Sequence, residues 1–156
     1  MHPLIDVTVA AVIRQDDRYL TIEELVGGQR VFNQPAGHVE EGETLEQAVI
    51  RETMEETGYT FTARALLGIF TWTGESRSFL RIAFIGDAEP PSGTCSLDDG
   101  IIATHWLTKP ELIQRTPALR SPMVLKCIEH FDAGVQYPLN AICELLPDIP
   151  NVANIA

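Results

Sequence analysis

Basic residues are scarce in this chain: 11 Lys and Arg stand against 22 Asp and Glu, leaving a formal net charge of −11 at pH 7. A surface that holds nucleic acid or an anionic membrane clusters Lys and Arg, so this balance argues against both partners. Cysteine is scarce too. Cys95, Cys127 and Cys143 are odd in number and lack metal-ligand spacing, which excludes a disulfide framework and points to free thiols in a reducing, cytoplasmic setting. No apolar run is long enough to span a bilayer; the N-terminal one is bracketed by Asp6 and Arg14 and has no basic flank, so it reads as neither a signal peptide nor a membrane helix. Repeats, low-complexity blocks and long linkers are missing as well. What remains is an ordinary 45% hydrophobic fraction over 156 residues, enough for one domain spanning 1–156, as a monomer or a small homo-oligomer.

Against that background one stretch stands out, Gly37 to Tyr59. Thr44 with Gln47 three residues later forms a capping box, and Gly58 is a natural stop, so the spacing predicts a helix from Leu45 to Thr57. Leu45, Ala48 and Val49 share one side of it. The same line continues through Glu52 and Glu56, with Glu55 one step around, so carboxylates prolong the inward-facing stripe. Such neighbours repel by ~0.2–0.5 kcal/mol per pair even when exposed, and they sit at the helix end that prefers cations. Positive charge must arrive from elsewhere. Oxygen-only ligands suit a hard divalent cation such as Mg²⁺, with Mn²⁺ as a substitute, better than zinc. A solvated acidic face is the alternative, but it leaves unexplained both the continuation of the apolar stripe and the adjoining Arg51.

Gly37, Glu43, Arg51, Glu52, Glu55, Glu56 and Gly58 stand in the spacing of the Nudix motif, and on these residues the chain resembles the Nudix hydrolases. The motif's two aliphatic positions are Thr53 and Tyr59 here, departures that concern helix packing more than chemistry. The segments Phe32-Asn33-Gln34-Pro35-Ala36-Gly37-His38, Leu119-Arg120-Ser121-Pro122 and Tyr137-Pro138-Leu139 resemble a subgroup that hydrolyses nucleoside di- and triphosphates and the pyrophosphate of a thiamine precursor. The resemblance implies an α/β/α sandwich around a mixed, largely antiparallel sheet. It also implies metal binding by Glu52, Glu55 and Glu56, with a backbone carbonyl of Ala36 or Gly37 joining the shell. Glu52 is the implied general base. Catalysis is thus assigned to Glu52, Arg51 and Glu56, Arg51 acting as a planar fork that orients a glutamate. Glu43 fits a loop anchor or a partner of Arg51 better than a metal ligand.

Elsewhere the pattern is mostly strands. Asp6 to Arg14 and Tyr19 to Glu24 read as a hairpin about Gln15-Asp16-Asp17-Arg18, followed by a turn at Gly27-Gly28 and a short strand Val31 to Gln34. Thr60 to Trp72 and Ser78 to Ile85 read as a second hairpin around Gly74-Glu75. Arg77 and Arg81, with Trp72 and Phe79 nearby, suit a base and its phosphates, the alternative being solvated arginines and core aromatics. His38 suits a phosphate contact or plain solvent exposure.

The strand Ile101 to Leu107 carries Trp106. In relatives an acidic residue six positions before this Trp often serves the site. Gly100 occupies that position here, leaving Asp98 and Asp99 as out-of-register candidates. Thr108 to Glu111 forms a second capping box. Ser121 as N-cap, with Pro122 at the first helical position, opens a last helix through about Phe131 that stops at Gly134. Arg120 suits an anion at that N-terminus or a surface salt bridge, and the tail after Leu146 carries no signal.

The reaction this pattern implies is Mg²⁺-dependent hydrolysis of a diphosphate linkage in nucleoside di- or triphosphates or hydroxymethylpyrimidine pyrophosphate. Dinucleoside polyphosphates or nucleotide sugars are the alternative substrates, and a non-catalytic binding module on the same fold is the alternative role.

Overall fold

A computed structural model describes residues 4–146. The tail after Leu146 lies outside them. In chain order the elements are β1 (Ile5–Gln15), β2 (Arg18–Val26), β3 (Gln29–Asn33), β4 (Ala36–His38), α1 (Leu45–Thr57), β5 (Thr60–Thr73), β6 (Ser78–Glu89), β7 (Ile101–Thr108), α2 (Lys109–Gln114) and α3 (Met123–Asp132). Single 3₁₀ turns follow α2 at Thr116–Ala118 and α3 at Leu139–Ala141.

The β-branched run of β1 is buried on both faces, as a strand with a helix on each side must be. Val9, Ala11 and Ile13 join a core with Ala48 and Val49 of α1 and Phe84 of β6. Val12 faces the opposite core, built with Ala83 and Ile85 of β6, Leu112 of α2, and Cys127 and Ile128 of α3. The result is the α/β/α sandwich, with a mixed sheet whose sole parallel pair among the described strands is β1 with β6.

The first hairpin is shorter than the sequence suggests. β1 and β2 share two rungs, Arg14 with Tyr19 and Gln15 with Arg18, and then diverge. β1 continues between β4 and β6, whereas β2 pairs with β3 and β7. Turn chemistry at Asp16 brings the strands together locally, but which strand each lies beside is decided by burial of both faces. Residues of both half-sheets, Thr8 of β1 and Arg81 of β6 on one side and Glu24 of β2 and Asn33 of β3 on the other, line one cleft.

Two segments close the fold from outside. Leu119 bridges to Phe32, and the Arg120 amide donates to the Phe32 carbonyl at 2.8 Å, so the segment before α3 runs beside β3. Tyr137 exchanges two backbone hydrogen bonds with Leu66 at 2.8 and 2.9 Å, on the edge strand β5 where its ladder is interrupted by bulges.

The motif's two non-aliphatic positions are accommodated without strain. Thr53 is fully buried, and its hydroxyl donates back to the Val49 carbonyl at 2.7 Å, so no polar atom is left unpaired. Tyr59 packs at the core's margin and accepts the indole N–H of Trp106 at 3.2 Å.

Candidate active site

The expected capping governs α1. Thr44 accepts from the Gln47 amide while the Gln47 side chain accepts from the Thr44 amide, and Gly58 at φ 75° ends the helix through a bond to the Met54 carbonyl. The Glu144 carboxylate accepts the Leu45 amide at 2.7 Å, adding an anion at the favourable pole. The opposite pole carries Glu52, Glu55 and Glu56.

Arg51 holds these acids in place, and all five of its N–H groups are used. Nε and Nη2 grip Glu43 in a two-point fork at 3.0 and 2.7 Å, and Nη1 donates to Glu52 at 2.9 Å and Glu55 at 3.0 Å. The remaining Nη2 hydrogen goes to the His38 carbonyl at 3.0 Å. The fork holds the Glu43 carboxyl below its usual pKa, and the Glu43 bond in turn raises the pKa of the guanidinium. Glu43 is thus an Arg51 partner and a loop anchor, its amide-facing oxygen also accepting from Glu40 N at 2.7 Å.

Three successive residues of β4 each meet one member of this set. The Ala36 amide donates to Glu56 at 2.8 Å, Gly37 lies directly against the Glu52 carboxylate, and His38 gives its carbonyl to Arg51. Burial is the main influence on the acids. It raises Glu52, and it pushes Glu56 up to about 9, with the charges of Glu52, Glu24 and Asp98 adding to the effect over the opposing Ala36 bond.

These groups line one wall of a cleft of about 470 Å³. The other wall comes from β6 and the segment before α3. Arg81, 4% exposed, donates to Gln34 at 3.0 Å and Asn33 at 3.2 Å, and burial lowers its pKa. Gln34 donates onward to the Val124 carbonyl at 2.8 Å. The segments Phe32 to His38 and Leu119 to Pro122, distant in sequence, therefore meet and build this wall together.

Several expected residues fall into place differently. Asp98 lines the cleft and its amide donates to the Glu55 carbonyl at 2.9 Å, whereas Asp99 does not reach it. Trp72 and Phe79 stack at 5.7 Å with 16° between their planes, at the cleft's rim. Arg77 lies one recess away, largely exposed and 3.4 Å from Asp6. His38 lines the cleft yet is mostly exposed, 3.6 Å from Asp6. Arg120 stands 3.7 Å from Glu24, and both face the cleft. Ser121 is not a helix cap: the N-cap of α3 is Pro122, and among the described residues no side chain caps it and the buried Ser121 hydroxyl has no partner. Glu24, Thr8 and Asn33 also line the cleft, and strand alternation alone gives no reason to single them out.

A metal can be weighed from the donors themselves. Glu24, Glu40, Glu52, Glu55, Glu56 and Asp98 face the cleft against three arginines, and Arg51 has no N–H left to give. Among the described residues no three possible ligands form a ready-made cage, since Glu52 and Glu55 each turn an oxygen toward Arg51. The set is nevertheless all oxygen, partly buried, and in excess of negative charge, with Glu56 kept protonated at neutral pH chiefly by burial and further by the neighbouring carboxylates. It fits a hard divalent cation.

The comparisons with known proteins agree with this geometry. A family profile described as NUDIX domain matches residues 4–126. The chain belongs to the Nudix hydrolase family. Phosphatase NudJ of Escherichia coli (strain K12) is 36% identical over 137 residues, which is 87% of this chain and 89% of that protein. A NUDIX hydrolase from Nitrosomonas europaea superposes with a TM-score of 0.88 at 41% identity, covering 91% of this chain and 98% of that one. A bifunctional NMN adenylyltransferase/ADP ribose pyrophosphatase from Francisella tularensis, solved with AMP and a Mn ion, shares the fold. Its TM-score is 0.68 at 19% identity, over 86% of this chain and 43% of that one. Among the described residues no helix is long and apolar enough to cross a membrane.

Proposed function

We propose that this chain cleaves a phosphoric anhydride in nucleoside di- and triphosphates, and also hydroxymethylpyrimidine pyrophosphate, with Mg²⁺ as its cation and Mn²⁺ as a substitute. One observation carries the reading. The carboxylate pole of α1 faces the buried Arg81 across a cleft sized for a small phosphorylated molecule. The similarity to NudJ over most of both chains supports the substrate class.

Glu52, Glu55 and Glu56 hold the cation, with Asp98 beside them. When bound, that cation offsets charge on the diphosphate oxygens and favours ionisation of water. Glu52 is the general base: it is held against Gly37 with one oxygen on Arg51, and burial has raised its proton affinity. Arg51 orients Glu52 and Glu55 rather than touching substrate, because Glu43 and the His38 carbonyl fix its plane. Trp72 stacked on Phe79 offers an aromatic face to the base or pyrimidine ring, and Arg81 faces the phosphates. The enzyme acts in the cytoplasm, as one domain over 1–156.

A panel of substrates with wild type and Glu56→Gln tests this. Inorganic phosphate from nucleoside di- and triphosphates, lost in Glu56→Gln, is expected. Two nucleotidyl fragments from dinucleoside polyphosphates or nucleotide sugars would instead place the chain in another Nudix substrate class. Zero turnover with both metals would make it a binding module.

A further inference from the structure

Four buried side-chain polar atoms lack a hydrogen-bond partner among the described residues, and three of them belong to residues that line the cleft: Thr8 Oγ1, Arg81 Nε and Ser121 Oγ. Their residues are 7%, 4% and 6% exposed. Such orphans are rare in native folds because each costs the free energy of lost hydration. They are also gathered. Thr8 and Arg81 are register partners on β1 and β6, so they project from one face side by side. Ser121 precedes α3, which is joined to Arg81 through Gln34: the amide accepts from Arg81 at 3.0 Å and donates to the Val124 carbonyl at 2.8 Å.

Two further features share the same sign. Arg81 is a buried cation whose hydrogen-bond acceptors are neutral amides, with the buried Cys127 thiol beside it and no carboxylate within ion-pair distance among the described residues. The ten-residue helix α3 begins with no side-chain cap among the described residues, and both Ser121 and Met123 at its start line the cleft. A guanidinium N–H with no acceptor, an uncapped helix start and two idle hydroxyls are each satisfied by anionic oxygen.

We propose that Thr8, Arg81, Ser121 and the start of α3 form a receptor for the terminal phosphoryl group of the substrate, facing the glutamates of α1. This rests on the anhydride-hydrolase reading and adds to it. A terminal phosphoryl group, held by one anhydride oxygen and with its other three oxygens free, matches a donor set converging from β1, β6 and α3. A phosphate bridged on both sides, as every phosphate within a dinucleoside polyphosphate is, has two free oxygens, and a second nucleoside must be placed. The receptor therefore selects for end-phosphorylated substrates.

The test uses inorganic phosphate as the probe on metal-free protein in excess chelator, so that the glutamates take no part. Thr8→Val and Ser121→Ala each remove an unpartnered hydroxyl at nearly constant volume, so their melting temperatures without phosphate should equal or exceed wild type. Phosphate should raise the wild-type melting temperature and do so much less in the double variant. With metal present, the KM of the variants for a nucleoside diphosphate should rise about ten-fold with kcat largely kept. Lower melting temperatures with an undiminished response to phosphate would show that the hydroxyls serve the fold, and would overturn the receptor. Normal hydrolysis with no phosphate response in wild type would likewise overturn it while leaving the hydrolase reading intact. Phosphate binding that depends on Thr8 and Ser121, in a protein that hydrolyses nothing, would keep the receptor and sink the hydrolase.

Discussion

Gly37 lies flush against Glu52: a β-carbon built on Gly37 would fall inside the carboxylate of Glu52. The glycine is needed for space, and its φ is ordinary. Gly37→Ala must therefore push Glu52 aside or lift β4 from α1. The expected outcome is a loss of about 100-fold in kcat/KM from the displaced carboxylate. A stability cost of about 1–3 kcal/mol from overpacking should accompany it. Steady-state kinetics and denaturant unfolding check the pair.

Arg51→Lys replaces five fixed N–H donors by three on a flexible stem. Lysine keeps the charge but cannot grip Glu43 at two points while serving Glu52, Glu55 and the His38 carbonyl. A kcat at least ten-fold lower, with a smaller change in KM, is expected. Full activity in Arg51→Lys would show that the fork does not orient the glutamates. Glu43→Gln should weaken the fork but leave metal affinity nearly unchanged, as isothermal titration would reveal. Abolished metal affinity would instead make Glu43 a ligand.

The two adjacent aspartates separate cleanly. Asp98 faces the cleft and is tied to α1 through the Glu55 carbonyl, so Asp98→Asn should weaken metal binding and turnover by an order of magnitude. Asp99→Asn should behave as wild type. Arg77→Ala should likewise change KM less than two-fold, because its side chain lies in the neighbouring recess.

Glu56 gives a pH signature. Its carboxyl, ordinarily at 4.5, is pushed up to about 9 by burial in the metal-free fold. Between those values the native state holds a proton that the unfolded state has released, so stability falls as pH rises through this window. Metal-free wild type should thus be progressively destabilised from about pH 5 towards about pH 9. Glu56→Gln, which cannot ionise, should flatten the profile over that range. Chemical denaturation at a series of pH values measures both slopes.

Much of this site could be read before the structure was known, because its signals are local. The capping box at Thr44, the stop at Gly58 and the phase of Glu52 and Glu56 relative to Val49 all depend on residues within a few turns. The partner of β1 could not be read so. Its apolar run is equally compatible with a hairpin partner and with the parallel β6, and only two-sided burial selects the latter. Ser121 shows the same limit. Ser before Pro is a sound cap pattern, but the local geometry starts α3 one residue later and leaves the Ser121 hydroxyl buried behind the cleft wall without a partner among the described residues. Asp98 was distinguishable from Asp99 only through its backbone contact with α1, and Glu24 only through the divergence of β2 from β1.

The carboxylate pole of α1 is built to be completed by a divalent cation. The most direct measurement is the melting temperature of metal-free wild type and Glu56→Gln, side by side, as Mg²⁺ is added at neutral pH. Wild type should rise by about 5–10 °C at a hundred-fold excess over Kd, while Glu56→Gln stays close to its starting value. A wild-type curve that does not move with Mg²⁺ or Mn²⁺, or a variant that tracks it step for step, would contradict the account.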